Sequence, residues 1–319
     1  MSTDFRAAAD TAKPPWTRRV TGLLYPGTAI PSQPAPITWT RQRCVWVILA
    51  GIPATLFFSE VWKRSFSLVN AGTGLHLPLP TTLLRFDVTP IGEAKRVVLL
   101  MLLAVLVLVC LHSIGGRSMM GLDERTTPRD HVAAFGYYLR LVCPAAIIGF
   151  IVVRTVELSW PSLQPWTGVQ AVWPGWVETL RSISSGFCEE VIATVLVVVI
   201  LEHVRRRNGR TWAASGLAAV LVIAVHLSYH LHYGLRALVL VIPVYLTVLC
   251  WRHTRSLPGI VMGHIAYNLV SDLKINALLV LIAFVVVGSL LDNRWWRHRT
   301  GERRHAGTAA AEAPPGGGR

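Results

Sequence analysis

Residues 96–114 read RVVLLMLLAVLVLVCLHSI, an unbroken apolar run with one charge at its entrance. A helix of that length rises about 28 Å at ~1.5 Å per residue, close to the ~30 Å of bilayer hydrocarbon. The run does not alternate apolar with polar positions, which excludes a strand of a membrane β-barrel. Working outward, seven more runs of this kind appear. The eight candidate spans are about 44–62, 96–114, 134–156, 177–203, 212–232, 236–251, 257–272 and 275–292. The chain of 319 residues is 52% hydrophobic and only 15% charged, with a mean hydropathy of +0.47, too little charge for a soluble domain of this length. The expected fold class is all-α: a polytopic membrane helix bundle of about eight transmembrane helices.

The formal net charge is +14. Nucleic acid is not the expected partner, because the basic residues cluster at the ends of apolar runs and in the tails, with no reader motif beside them. If the N-terminus is inside, the inner segments hold 21 of the 31 Lys and Arg. These include Arg41, Arg43, Arg117, Arg205, Arg206, Arg207 and Arg255. The stretch from Glu157 to Trp176 has none and carries Trp160, Trp166, Trp173 and Trp176, suited to an interface. The first outer loop breaks the pattern with Lys63, Arg64, Arg85, Lys95 and Arg96. The expected localisation is a multi-pass protein of the cell membrane with both termini cytoplasmic, and the lipid bilayer is the first partner.

Five cysteines, Cys44, Cys110, Cys143, Cys188 and Cys250, form no CxxC pair and read as small buried hydrophobes. Residues 1–43 read as a flexible basic tail and not as a secretory signal, for they are polar and Pro-rich without an early apolar core. Residues 44–176 make a first set of helices and loops, and 177–292 a second set that carries the polar residues. Residues 293–319 form a basic, then Ala-, Pro- and Gly-rich tail.

Ionisable groups inside apolar spans cost ~2.5–3.5 kcal/mol on insertion scales and are functional candidates by default. The fourth span, SSGFCEEVIATVLVVVI over 184–200, holds Glu189 and Glu190 side by side. Two adjacent carboxylates in a low dielectric repel each other, and a carboxylate so placed suits a general base acting on water. The fifth span ends in VIAVHLSYHLHYG over 222–234. His226 and His230 are four apart and share a helix face, the spacing at which two histidines can share one metal. The seventh contains GHIAYNLVSD over 263–272. His264 and Asn268 are again four apart, suited to ligate a metal or water or to donate to a developing oxyanion. At ~1.5 Å per residue Glu189 lies ~12–18 Å, and His264 ~12 Å, from the outer ends of their spans. These depths allow the groups to converge in the outer half of the membrane. Arg140 and Arg154 in the third span are candidates for a cross-helix partner of Glu190.

A paired Glu, a His near a helix end and an HxxxN in a later span, in that order, resemble the CPBP family of intramembrane metalloproteases. That family includes the CAAX prenyl endoproteases of the Ras-converting type and bacteriocin-immunity-like relatives. The resemblance covers about residues 177–272. Its first motif, EExxxR, reads Glu189-Glu190-Val191-Ile192-Ala193-Thr194 here, so Thr194 stands where Arg is common. Its last, HxxxN, reads His264 to Asn268. For the middle histidine, YHLHYG looks like a stretch of bacterial relatives and favours His230, with His226 as the alternate. The resemblance implies an endopeptidase in which Glu189, assisted by Glu190, activates a water, while His230, His264 and Asn268 bind a metal or stabilise the oxyanion. It implies a divalent metal, zinc first, with His230, His264, Glu190 and His226 as candidate ligands. The substrate would be a peptide or protein. The alternative is a non-catalytic scaffold or immunity-like member that keeps the polar cluster for helix packing.

Overall fold

The computed structural model describes residues 40–73, 76–81, 86–122, 127–159, 173–197, 211–272 and 276–291. All belong to the unit spanning Pro34–Arg319. The tails expected over 1–43 and 293–319 lie outside the described residues except for 40–43. The arginines at 205–207 also lie outside them. The described residues form helices and no strand. In chain order these are α1 (Arg41–Thr73), α2 (Pro90–Gly115), α3 (Pro128–Ser159), α4 (Gly175–Cys188), α5 (Thr211–Tyr229), α6 (Val241–Thr254), α7 (Leu257–Asp272) and α8 (Ala277–Leu291). Each expected apolar run overlaps one of them, with 198–203 of the fourth outside the described residues. Three, α1, α2 and α3, are long and apolar enough to cross a membrane.

Local chemistry explains the boundaries. At the start of α2, Thr89 accepts from the Gly92 amide at 3.0 Å and Pro90 takes the first helical position, where its missing N–H costs nothing. Ser256 caps α7 in the same way, accepting from Gly259 N at 3.1 Å, and its hydroxyl lies 2.7 Å from His131 Nδ1 on α3. After α5 the chain tightens at His230 into a 3₁₀ stretch over Leu231–Leu240. Within it Gly234 adopts φ 59° and ψ −133°, a conformation a side chain would make costly. That glycine turns the chain from α5 into α6.

Two helices run longer than their apolar cores. α1 continues past residue 62 to Thr73, and α2 begins at Pro90, six residues before the apolar run. The extra turns carry charges that find each other: Arg64 and Arg96 both bind Glu93, at 3.0 and 2.7 Å. α3 forms the centre, and α7 lies against it through two close approaches. A Cβ on Gly259 would fall 2.5 Å from Ala134 Cβ, and one on Gly263 2.5 Å from the Tyr138 ring. This small-xxx-small spacing lets two helices touch backbone to backbone, the packing that stabilises helix pairs without a hydrophobic gradient.

Candidate functional site

Both carboxylates of the Glu189–Glu190 pair are buried, although neighbours on a regular helix point 100° apart. Both lie on a segment enclosed on all sides, where α4 does not continue as an α-helix. Residues Glu189–Leu196 form a π-helix, and all eight are buried. A π segment inside an apolar helix is a costly irregularity that recurs at functional sites. The preceding turn brings α7 close: a Cβ on Gly186 would lie 2.8 Å from the backbone nitrogen of Ile265. Glycine at 186 therefore lets His264, one residue before Ile265, reach the carboxylates.

The contacts divide by carboxylate. Glu190 Oε1 lies 2.7 Å from His264 Nδ1 and accepts from Tyr138 Oη of α3 at 3.3 Å. Glu189 Oε1 accepts from Ser185 Oγ at 2.5 Å, one turn earlier on α4. Its other oxygen accepts from Tyr229 Oη at 3.1 Å and lies 3.7 Å from His230 Nε2. Glu189 is 8% exposed and Glu190 2%, so Glu189 presents more surface to the space in front of the pair. That space is a cavity of about 570 Å³, lined by Glu189, Glu190, His226, His230, His264 and Asn268 among others. Every site residue expected from the sequence thus borders one cavity.

The two candidate histidines of the fifth span separate clearly. His230 stacks on Tyr233, with ring centroids 5.1 Å apart, and faces Glu189. His226 is buried, and its Nδ1 meets the Val222 carbonyl one turn back at 2.9 Å. A carbonyl only accepts, so that nitrogen carries a proton directed at the backbone. Asn268 Nδ2 donates to Ser182 O at 3.3 Å, tying α7 to α4. Arg154 does not reach Glu190; it lies 3.7 Å from Glu157 on its own helix. Arg140 sits 5.7 Å over the Tyr137 ring. Thr194, where the motif commonly has Arg, is buried, and its hydroxyl has no hydrogen-bond partner among the described residues.

Sequence reading missed three partners. Ser185 precedes Glu189 by four and shares its face, a spacing that could have revealed it. Tyr229 adjoins His230, but nothing in its apolar surroundings marks it. Tyr138 comes from a helix that the resemblance does not cover.

The donor set is chemically suited to a divalent ion, since imidazole and carboxylate are what zinc and its neighbours take. Two buried atoms of that set, Glu190 Oε2 and His230 Nδ1, have no hydrogen-bond partner among the described residues. No three His, Cys, Asp or Glu among the described residues are gathered as a ready metal cage. His264 Nδ1 meets Glu190 instead, the carboxylate–histidine contact that elsewhere orients a ligand from behind. Comparison of the chain with protein-family models, with curated proteins and with solved structures returns no match.

Proposed function

We propose that the chain is a multi-pass membrane endopeptidase of the CAAX-protease type, crossing the bilayer about eight times with both termini cytoplasmic. The observation that carries this reading is the convergence of Glu189, Glu190, His230 and His264 on one cavity among apolar helices. In this mechanism a water in the cavity stands against Glu189, the more exposed carboxylate. Glu189 takes its proton as the water attacks the peptide carbonyl. Ser185 and Tyr229 hold the carboxylate in place so that no rotamer search precedes the step. Glu190, sealed behind, fixes His264, which faces the oxygen of the tetrahedral intermediate with His230 and Asn268 as further polar neighbours. The proton then passes from Glu189 to the leaving amine. A divalent ion, zinc first, would be held by His230 and His264 with Glu190 or His226, and would polarise the scissile carbonyl.

The test is hydrolysis of a quenched-fluorescent peptide library by the purified protein in detergent. Wild type is expected to cleave members that Glu189→Gln and His264→Ala, purified as folded protein, do not. Equal cleavage by all three would end the reading. Metal analysis of the same preparations is expected to return about one divalent ion per chain.

A second reading has its own support. The bonds of Glu189 and Glu190 join α3, α4, α5 and α7, and Thr194 replaces the motif Arg. A non-catalytic scaffold or immunity-like factor would use the cluster as polar glue between helices. It predicts that Glu189→Gln, which keeps the hydrogen-bonding shape, retains full biological activity.

A further inference from the structure

The cavity belongs to one end of the bundle. Its wall takes residues 57–65 of α1, 96–100 of α2, 138–150 of α3, 178–188 of α4 with Glu189 and Glu190 beyond it, His226 and Tyr229 of α5, 243–247 of α6 and 264–271 of α7. For α1, α5 and α7 these are the C-terminal halves, for α2 and α6 the N-terminal halves, for α3 the middle and for α4 nearly the whole helix. The cavity thus reaches from the middle of the bundle toward the end where α1 leaves and α2 enters. The opposite end is packed shut. There a Cβ on Gly121 would fall within bonding distance of Arg255 O, and Ser256 is completely buried between its helix and His131.

Charge marks the two ends differently. The closed end holds Arg41 and Arg43 at the start of α1, Arg117 after α2, Arg129 at the start of α3 and Arg255 after α6. The sequence between α4 and α5, outside the described residues, contains Arg205, Arg206, Arg207 and Arg210. The stretch 157–176, of which 160–172 lies outside the described residues, lacks Lys and Arg. Two of the five basic residues that break this bias, Arg64 and Arg96, are part of the cavity wall, while Lys63, Arg85 and Lys95 still count against it. Arg64, Arg96 and Arg181 surround Glu93 at 2.7–3.2 Å. Arg236 and Arg154 serve Glu157. Arg96 and Arg181 are largely enclosed, with side chains 11% and 29% exposed, while Arg64 and Arg154 keep 38% and 47%. The bias of the remaining Lys and Arg then places the closed end in the cytoplasm.

From these observations we infer that the cavity opens to the non-cytoplasmic face of the membrane and draws its ligand from that side. On the peptidase reading, which this extends, the substrate is an extracytoplasmic peptide segment. A cytoplasmic tail would meet only the packed end.

Cysteine accessibility tests this without reference to cleavage, so its failure is distinct from failure of the peptidase reading. The background is Cys44→Ser, since Cys44 is exposed and the other four cysteines are buried. Leu79→Cys in the α1–α2 connection and Glu178→Cys at the mouth probe the open end. Leu122→Cys, at an exposed position, probes the closed end. With a membrane-impermeant maleimide on intact cells, the first two are expected to label at least tenfold more than Leu122→Cys, and all three to label after lysis. Labelling of Leu122→Cys in intact cells, or of the other two only after lysis, overturns the inference. Should a variant fail to accumulate, alkaline phosphatase fused after residue 79 is expected to be active and after residue 122 inactive. The reverse pattern overturns the inference equally.

Discussion

The two ends of the bundle are built from similar helices on different principles. At the closed end small residues bring backbones together: Gly259 against Ala134, Gly121 against Arg255. At the open end the helices stand apart around about 570 Å³, and polar side chains bridge the gap. Glycine reappears there once in a decisive place, Gly186, where it admits α7 to the carboxylates. Close packing costs little, because dispersion is gained at every contact. Charges buried in pairs seldom stabilise a fold relative to apolar residues of similar volume. A bundle needing only stability would have closed both ends alike. The polar end is therefore where function is to be sought.

Several substitutions break or sharpen that contrast. The largest effect is expected from Glu189→Gln: a loss of about 10²–10⁴ in cleavage rate, the usual worth of a general base, with unchanged folded yield. Peptide turnover measured alongside thermal unfolding checks both halves of that statement. Glu157→Ala comes next. Glu157 is 0% exposed and binds Arg236, whose side chain is 26% exposed, so its loss leaves a half-buried cation unpaired and costs about 1–3 kcal/mol, read by thermal unfolding in detergent. Because Arg236 follows the turn that carries His230, activity is expected to fall as well. Gly186→Val and Gly259→Val form a matched pair. Each overpacks a helix contact and costs about 1–3 kcal/mol, but only Gly186→Val should reduce cleavage beyond what lost folded protein explains. Equal behaviour of the two would erase the distinction between the ends. The smallest effect has the opposite sign. Thr194→Val removes a buried hydroxyl without a partner while keeping the side chain's shape, and is expected to raise stability by about 1 kcal/mol or less.

Much of this was legible in the sequence, for a physical reason. Apolar runs long enough to span hydrocarbon must be helical, because only a helix satisfies its own backbone there, and the described parts of the eight runs lie on helices, three of them long and apolar enough to cross a membrane. Glu189, Glu190 and His264 stood out because charge and imidazole are expensive in such runs. The choice between His230 and His226 rested on local pattern, and the structure places His230 beside Glu189. Other features were hidden. Arg64 and Glu93 are 29 residues apart, and their pairing extends two helices past their apolar cores, which a hydropathy window reads as loop. The π-helix at Glu189–Leu196 leaves no mark in composition. Nothing in the sequence pairs Tyr138 or Tyr229 with the carboxylates they bind. Asn268, expected to face the chemistry, gives its amide to the Ser182 carbonyl and so also serves to fix α7 on α4.

The central claim is that the paired carboxylates and the two histidines work as a peptidase site. The most direct measurement compares protein N-termini in membranes of cells carrying wild type, Glu189→Gln or His264→Ala at equal expression. The account predicts a set of new N-termini in wild type that is absent from both variants. Identical profiles in all three would contradict it and leave the cluster as polar glue.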